Sequence, residues 1–400
     1  MLKSLIRRTG HVAIGTALGQ LAVLAVTPIL TRRYSPATFG GLALLMSVQS
    51  VIVVGGCLRY DLAIPGAEEV EAADLQALCL IVGAFLTLAV VVAGSMIGLA
   101  GWGGAAAHLL SPPWLMATLL FSVIASQATG SMLIRRGDFK ALGFLRASQG
   151  VSFALMAVIP LLGLSWGYAL SFVPGCLFLW MQREALRNIS LDGVKFALRR
   201  YAQFPFLSFP GALLDVTAYS TSIWVITRYY SLANVGQYSQ VQRLIGGPML
   251  LLSISLSQVI LKHATDEHHA GRSLRLMVRH FALIMGGLTV AAMLVLLVMG
   301  SWMLRKILGP QWSVDTYFIC LTAGTVFIRA IVSPLSAILI ATQHFRAALL
   351  WQGLYFLSTV TVLPWIARYH GFNGYIAGYA IHEGVLYLIY FLVIYHCAGE

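Results

Sequence analysis

Four ionisable residues lie inside long apolar runs, where a charged side chain needs a partner or water. Asp215, Arg329 and Glu383 fall near the middle of such runs, and Arg243 falls roughly two turns from the end of another. A charge at the centre of a bilayer costs roughly 2.5–3.5 kcal/mol on insertion scales. We therefore expect Arg329 and Arg243 to bind an anionic headgroup, because a planar guanidinium forms paired hydrogen bonds with phosphate. Asp215 and Glu383 would then bind a coupling proton or sodium ion.

A purely structural role for the same residues stays open. Asp215 or Glu383 could neutralise Arg329 inside a helix bundle, and Arg243 could extend its charge to the membrane surface. All four lie in the second half of the chain, and the first half is expected to hold no counterpart. Three further arginines lie near the ends of apolar runs and are assigned to the two mouths of the same passage: Arg32, Arg33 and Arg59.

Patterns typical of enzymes and metal sites are missing from the sequence. There is no phosphate-binding loop of the G-x-x-x-x-G-K-[ST] type. His382 and Glu383 begin like the zinc motif H-E-x-x-H, but Leu386 stands where the second histidine is needed. The five cysteines show no C-x-x-C spacing, which gives no indication of a disulfide framework or zinc site. We therefore predict no catalytic residues, no cofactor and no metal.

The composition is that of a membrane protein. Apolar residues make up 59% of the chain and charged residues 10%, with a mean hydropathy of +0.83. Soluble domains carry about 25% charged residues. Twelve apolar runs have the length that crosses a bilayer, near residues 11–31, 38–58, 75–100, 114–134, 145–163, 165–182, 205–227, 235–261, 281–303, 316–341, 347–367 and 373–396. This pattern predicts an all-α integral membrane fold of about twelve transmembrane helices.

The basic residues indicate how such helices are oriented. The net charge is +12, and lysine and arginine lie mostly between apolar runs, which argues against nucleic-acid binding. They are more abundant in the segments that share a side with the chain termini, so both termini are predicted to be cytoplasmic. Residues 191–203 place Leu191, Val194 and Leu198 on one helical face, which fits either a surface helix or a solvated connector. The predicted domains are therefore 1–190, the linker 191–203, and 204–400.

An internal repeat relates the two halves. Residues Leu30 to Gly40 match Ile226 to Gly236, which lie 196 positions later (226 − 30), and six of these eleven positions are identical. A second echo pairs Leu133-Ile134 and Phe139–Ala141 with Leu339-Ile340 and Phe345–Ala347. Chance similarity of a common turn is the alternative, but the order of the two echoes is kept. Six spans per copy give both copies the same orientation, which predicts two six-helix bundles related by a parallel repeat around a central cavity.

Several segments resemble the Wzx-type polysaccharide flippases of the multidrug/oligosaccharidyl-lipid/polysaccharide exporter superfamily. The segments that carry this resemblance are Pro28 to Gly40, Leu58 to Pro65, Arg200 to Pro205, Val235 to Ser239, and Leu308 to Trp312. The resemblance implies alternating-access translocation of an undecaprenyl-diphosphate-linked oligosaccharide repeat unit from the cytoplasmic to the outer leaflet. It further implies a bacterial inner membrane, a role in O-antigen (lipopolysaccharide) or exopolysaccharide biosynthesis, and contacts with membrane lipids and other membrane proteins of that pathway.

The resemblance has one departure and two rivals. Members of that family typically have a cationic central cavity, whereas the mid-membrane residues predicted here are two acids and one arginine. A drug/cation antiporter of the same superfamily predicts that Asp215 or Glu383, rather than an arginine, is indispensable. A membrane-bound polysaccharide polymerase or ligase usually needs a sizeable outer loop, and the sequence has no such loop.

Overall fold

The computed structural model describes residues 2–99, 112–182, 189–270, 272–312 and 314–399, and these are almost entirely helical. The helices of the first half are α1 (Leu2–Arg33), α2 (Pro36–Gly56), α3 (Glu69–Leu99), α4 (Pro113–Arg135), α5 (Phe139–Val158), α6 (Gly163–Leu170), α7 (Val173–Met181) and α8 (Leu191–Arg200). Those of the second half are α9 (Phe209–Tyr229), α10 (Leu232–His269), α11 (Arg275–Leu308), α12 (Thr316–Leu335), α13 (Ala337–Ala341), α14 (Phe345–Tyr369) and α15 (Phe372–Cys397). Short 3₁₀ turns at Tyr60–Leu62 and Ile64–Gly66 follow α2, and a π-helical turn at Phe204–Ser208 leads into α9.

The helices have the lengths that a bilayer requires. Within the described residues, ten segments are long and apolar enough to span a membrane, and α6 with α7 and α12 with α13 each make up one of them. The long helices α9 and α10, which are more polar, bring the number to twelve. The predicted all-α membrane fold of about twelve helices is thereby confirmed. The break predicted between the fifth and sixth spans lies where α5 ends at Val158 and α6 begins at Gly163.

The helices pack into two compact units. The first unit contains Met1–Tyr34 and Leu44–Val216, and the second contains Ser35–Ala43 and Thr217–Glu400. The border between them therefore runs inside α2 and α9. The division at residues 1–190, 191–203 and 204–400 stays a prediction.

Equivalent tyrosines of the internal repeat form hydrogen bonds to helix-end carbonyls in each unit. The hydroxyl of Tyr34, just after α1, donates to the carbonyl of Ala157 at the end of α5, at 3.1 Å. The hydroxyl of Tyr230, just after α9, bonds to the carbonyls of Ala367 and His370 at the end of α14, at 3.3 and 2.8 Å. Carbonyls at the end of a helix have no partner within it, so each tyrosine satisfies groups that would otherwise be left open. The match seen in the sequence thus reflects equivalent structure.

The second sequence echo also corresponds to equivalent turns, one between α4 and α5 and one between α13 and α14. In each turn a backbone N–H donates to the carbonyl five residues earlier, from Asp138 to Leu133 at 3.0 Å and from His344 to Leu339 at 2.8 Å. The preceding residue adopts a left-handed conformation in both turns, with φ of 68° at Gly137 and 57° at Gln343. This combination is the Schellman ending of an α-helix. Two dissimilar residues occupy the left-handed position, which explains why the sequence match is interrupted there.

The other end of the repeated segment forms a close helix crossing in the second unit. A Cβ atom on Gly40 of α2 would collide with the backbone carbonyl of Leu232, and one on Gly236 of α10 would collide with that of Pro36. The two contacts are reciprocal, because Gly236 and Leu232 are the repeat equivalents of Gly40 and Pro36. Glycine at both positions lets the two backbones approach each other.

Removing the hydroxyls of the repeat tyrosines is expected to destabilise both units by similar amounts. Tyr34→Phe and Tyr230→Phe each lose hydrogen bonds to helix-end carbonyls, which is worth about 1 kcal/mol. Because the two sites lie in different units and share no partner, their effects are expected to add. Thermal unfolding in detergent measures this, with Tyr229→Phe, on the exposed face of α9, as the control. Strongly unequal losses would contradict an equivalent role.

The predicted linker is helical and is held to α3. The Ser190 hydroxyl caps the start of α8 by accepting a hydrogen bond from the backbone N–H of Gly193 at 2.9 Å. Arg200 forms an ion pair with Glu71 of α3 at 2.6 Å, and the Tyr201 hydroxyl donates to the same carboxylate at 2.7 Å. The Tyr60 hydroxyl donates to the backbone of α8 at 3.1 Å. The linker is therefore an anchored helix, with Leu191 and Leu198 exposed at its surface.

Candidate functional site

Arg329 and Glu383 form a buried ion pair in the second unit. The guanidinium Nε donates to Glu383 Oε2 at 2.7 Å, and Nη2 donates to the hydroxyls of Tyr355 and Tyr379 at 2.7 and 2.9 Å. The Tyr355 hydroxyl donates in turn to Glu383 Oε1 at 2.9 Å. The glutamate side chain is fully buried (0% exposed) and that of Arg329 is 17% exposed. Both carboxylate oxygens therefore accept hydrogen bonds from neighbours on α12 and α14.

Aromatic rings surround this pair. The guanidinium carbon of Arg329 lies 5.4 Å from the ring centroid of Tyr219 and 5.9 Å from that of Tyr387. An aromatic face attracts a nearby cation, so these rings partly replace the water that the arginine has lost. Trp351 stacks on the ring of Tyr355, with the two ring centroids 5.1 Å apart. The pair is thus held by four helices: α9, α12, α14 and α15.

This geometry corresponds to the structural alternative left open by the sequence, in which Glu383 neutralises Arg329. A buried charge that is paired and hydrogen-bonded is tolerated, whereas the same charge alone is strongly destabilising. Sequence reasoning missed the tyrosines, because Tyr355 and Tyr379 look like ordinary apolar residues of their spans. The assignment of Arg329 to substrate and of Glu383 to a coupling ion stays a prediction.

Asp215 and Arg243, the other two ionisable residues expected inside spans, lie on α9 and α10. Asp215 is exposed on α9 and belongs to the first unit, and Arg243 is half-buried on α10 in the second. Both take part in polar or electrostatic interactions. Their proposed roles, substrate for Arg243 and ion for Asp215, stay predictions.

Arg32 and Arg33 occupy the end of α1, as the sequence suggested. Arg32 Nη1 donates to the carbonyl of Pro28 one turn earlier, at 2.7 Å. Arg33 Nη1 donates to the carbonyl of Val158 at the end of α5, also at 2.7 Å. Both side chains remain exposed. Each thus helps complete a helix end, and a role at the mouth of a passage stays a prediction.

A polar cavity of about 360 Å³ lies within the first unit. Its charged and amide-bearing lining residues are Gln49, Arg59, Asp61, Gln127, Arg146 and Gln149. They come from α2, the 3₁₀ turn after it, α4 and α5, and Phe172 and Val216 add apolar surface. The lining therefore carries two arginines and one aspartate.

A strained backbone presents Arg59 to this cavity. Leu58 and Arg59 have φ of 45° and 66°, a left-handed conformation that residues other than glycine rarely adopt. Such conformations cost of order 1–3 kcal/mol each and concentrate at functional sites. The two left-handed residues follow the end of α2 at Gly56 and turn the chain, and Arg59 and Asp61 line the cavity. Arg59 Nε also donates to Ser208 Oγ, at a long 3.4 Å.

The carboxyl of Asp61 is the acidic group of the cavity lining. Burial raises the pKa of Asp61 above its ordinary value, and this effect outweighs the opposing influence of Arg59 and of the residue's own backbone N–H. The two arginines outnumber this carboxylate, so the lining carries an excess of positively charged side chains.

Glutamine side chains provide neutral hydrogen-bonding groups beside the arginines. Gln127 is exposed although its neighbours Ser126 and Ala128 are buried, so its amide faces the cavity rather than the packed interior. Gln49 is held in place by the Tyr168 hydroxyl, which donates to its Oε1 at 2.9 Å. An amide both donates and accepts hydrogen bonds, which suits a polyhydroxylated ligand.

Two sequence-based expectations are corrected in the first unit, the start of the fifth span and the absence of charge within it. The fifth span was predicted to begin at residue 145, which puts Arg146 at its edge, but α5 begins at Phe139 and places Arg146 two turns inside the helix. The expectation that the first half holds no charged counterpart is therefore wrong. The spacing of Arg146 and Gln149 on one helical face was the signal available in the sequence.

Comparison with solved structures relates the fold to known membrane transporters. The lipid II flippase MurJ in an inward closed conformation superimposes with a TM-score of 0.75 at 14% identity, covering 95% of this chain and 86% of that one. A multidrug resistance MATE family transporter of the MOP superfamily, in an inward-facing conformation, gives a TM-score of 0.65 at 15% identity, covering 95% and 93%. The Vibrio cholerae MATE transporter VcmN in its bent form gives 0.57 at 15% identity, covering 99% and 96%. No family model and no curated protein matches the sequence.

These similarities establish a shared fold at low sequence identity. Together with the spanning helices, they describe a multi-pass integral membrane protein with the helical fold of these transporters. The lipid II flippase and the MATE family proteins named above are transporters.

Proposed function

We propose that this protein is a flippase that moves an undecaprenyl-diphosphate-linked oligosaccharide repeat unit across the bacterial inner membrane, from the cytoplasmic to the outer leaflet. The observation that carries the proposal is the cavity of the first unit, where Arg59 and Arg146 lie beside three glutamines. The fold shared with a lipid II flippase supports it. Such a transporter would serve O-antigen or exopolysaccharide biosynthesis.

The chemistry of the cavity fits the headgroup of such a substrate. Two guanidinium groups supply paired, charge-assisted hydrogen bonds for a diphosphate. The amides of Gln127 and Gln149 supply donors and acceptors for sugar hydroxyls. A volume of about 360 Å³ is at the lower end of ligand cavities and accommodates a diphosphate with its first sugar. The polyprenyl chain would stay in the surrounding lipid.

Transport would proceed by alternating access of the cavity to the two sides of the membrane. The excess of basic residues on the side of the termini supports a cytoplasmic location for both of them. The repeat provides two similar halves, a common design of transporters that bind their substrate near the middle of the bilayer.

A drug/cation antiporter is the second candidate, and a specific observation favours it. Multidrug transporters share the fold over almost the whole chain, and Asp61 gives the cavity one carboxylate. An organic cation, however, would meet two arginines in the same cavity. The two functions therefore predict opposite requirements, since a flippase needs the arginines and an antiporter needs a carboxylate.

Removing either cavity arginine is expected to reduce transport strongly. Arg59→Gln and Arg146→Gln each keep a polar side chain but lose the charge-assisted hydrogen bonds, worth about 1.5–3 kcal/mol, which corresponds to roughly a 10- to 150-fold loss of affinity. The assay follows flipping of a fluorescent polyprenyl diphosphate N-acetylhexosamine in proteoliposomes. Arg136→Gln is the matched control, because Arg136 is an exposed arginine of the same unit outside the cavity.

The same variants distinguish the two functions. If the arginine variants flip the probe at the rate of the control, the cavity does not bind the diphosphate and the flippase proposal fails. If Asp61→Asn abolishes export of a fluorescent organic cation while the arginine variants retain it, the antiporter is the correct function.

A further inference from the structure

His382 is a buried histidine whose ring is incompletely hydrogen-bonded. It precedes Glu383 on α15, and its side chain is 7% exposed. Its Nε2 lies 3.2 Å from Ser358 Oγ of α14. Its Nδ1 is shielded from solvent and has no hydrogen-bond partner within the described part of the chain. Leaving a buried polar atom unsatisfied is costly, so this nitrogen needs an explanation.

The neighbouring hydrogen bonds determine which ring nitrogen carries the proton in the neutral histidine. Ser358 Oγ donates its only hydrogen to the backbone carbonyl of Tyr355, at 3.1 Å. The serine oxygen must therefore accept a hydrogen bond from His382, which puts the ring hydrogen on Nε2. The lone pair of Nδ1 is then unprotonated and lies 3.9 Å from Glu383 Oε1. A lone pair this close to a carboxylate is repelled by it, whereas a protonated ring is attracted.

We propose that His382 is the proton-binding site of this transporter, and that its Nδ1 takes up one proton whose charge is stabilised by Glu383 Oε1, 3.9 Å away. This inference rests on the proposed function and names its coupling ion. The lone pair of Nδ1 forms the new N–H bond and Nε2 keeps its hydrogen, so the ring becomes a cation. The group formed by His382, Arg329 and Glu383 changes from a net charge of zero to +1.

The charged groups around His382 are affected when it takes up a proton. The charged and titratable groups that face the site are Arg329 from α12, Tyr355 from α14, Tyr219 from α9, Tyr238 from α10, and Glu383, Tyr379 and Tyr387 from α15 itself. Glu383 is the one carboxylate among them. After protonation, two cations share this carboxylate, so the ion pair with Arg329 is weakened. A proton thereby biases a contact that holds α12 to α15.

A metal cation fits this site less well than a proton does. Glu383 Oε2 already accepts from Arg329, and Oε1 accepts from Tyr355. A sodium ion would have to displace a tethered guanidinium, whereas a proton needs only the free lone pair of His382. No group of three or more potential metal ligands occurs among the described residues.

The experiment compares transport with and without a pH gradient. Proteoliposomes holding wild-type protein are expected to flip the fluorescent polyprenyl diphosphate N-acetylhexosamine about tenfold faster under a favourable gradient, a typical coupling between two sites. In His382→Gln this ratio is expected to fall to about one, since glutamine can donate to Ser358 but cannot take up a proton at neutral pH. His263→Gln, an exposed histidine on α10, is expected to keep the wild-type ratio.

Each outcome bears on a different claim. A wild-type protein that flips the probe but ignores the gradient, or a His382→Gln variant that keeps the stimulation, overturns the proton site while leaving the flippase intact. If the wild-type protein does not flip the probe at all, the proposed flippase function itself is contradicted. If His382→Gln fails to assemble, nitrogen NMR of the wild-type histidines in lipid decides, because a buried ring that stays neutral between about pH 8 and pH 5 overturns the inference.

Discussion

Valine in place of Gly40 is expected to destabilise the protein and abolish transport. A Cβ at this position would collide with the carbonyl of Leu232, and backbone atoms cannot move aside as a flexible side chain can. Separating α2 from α10 costs at least the 1–3 kcal/mol typical of overpacking, and about the same is expected for Gly236→Val, which meets the carbonyl of Pro36. Thermal unfolding in detergent and flipping in proteoliposomes measure the two effects.

The neighbouring glycine supplies a matched control. Gly41 lies on the same turn of α2, and a Cβ there would meet nothing within 4 Å. Gly41→Val introduces the same side chain into the same helix, so its effect is expected to stay within about 0.5 kcal/mol. Equal behaviour of Gly40→Val and Gly41→Val would show that the close crossing of α2 and α10 is not required.

Alanine in place of Arg329 is expected to lower the amount of folded protein sharply. The substitution leaves Glu383 fully buried without its cation, and breaking a buried pair in this way costs about 3–5 kcal/mol. Tyr355 and Tyr379 also lose the guanidinium to which they are bonded. Size-exclusion chromatography of the fluorescently tagged protein measures the folded fraction, and transport is then compared per folded molecule.

Removing both charges separates stability from function. Arg329→Met combined with Glu383→Leu leaves no unpaired charge and is expected to recover most of the folded protein, because apolar residues often replace a buried ion pair at little cost. Arg346→Ala, which truncates an exposed arginine on α14, serves as the control for the single variant. A single Arg329→Ala variant as stable as this control would mean that the pair contributes nothing to the fold. Activity in the stable double variant would remove both residues from the transport mechanism.

Turn chemistry was readable from the sequence where it depends on a few adjacent residues. The repeated Tyr-Ser pair after α1 and α9 predicted equivalent reversals, and the serines cap the following helices through hydrogen bonds of 3.3 Å to Thr38 and 3.2 Å to Asn234. At Gly137 and Gln343, where the second match is interrupted by different residues, the shared left-handed conformation became known only from the backbone.

The site was only partly predictable. Arg329 and Glu383 were recognised because charge is rare inside apolar runs, and the possibility that they pair was stated from the sequence. Their tyrosine partners were not, because a tyrosine in a span looks the same whether it faces lipid or a guanidinium. Arg146 was missed because the predicted start of its helix was six residues too late (145 − 139).

The sequence by itself determined that the protein is an integral membrane protein, that the chain spans the membrane about twelve times, and that its two halves are related by an internal repeat. These properties depend on the hydropathy of segments of some twenty residues and on local turns. Hydropathy and turn signals are both properties of residues that are adjacent in the sequence. Only the tertiary structure decided which polar groups meet. Arg59 and Arg146, or Arg329 and Tyr379, are far apart along the chain, and their proximity arises from how helices pack and rotate against one another, which no single segment encodes.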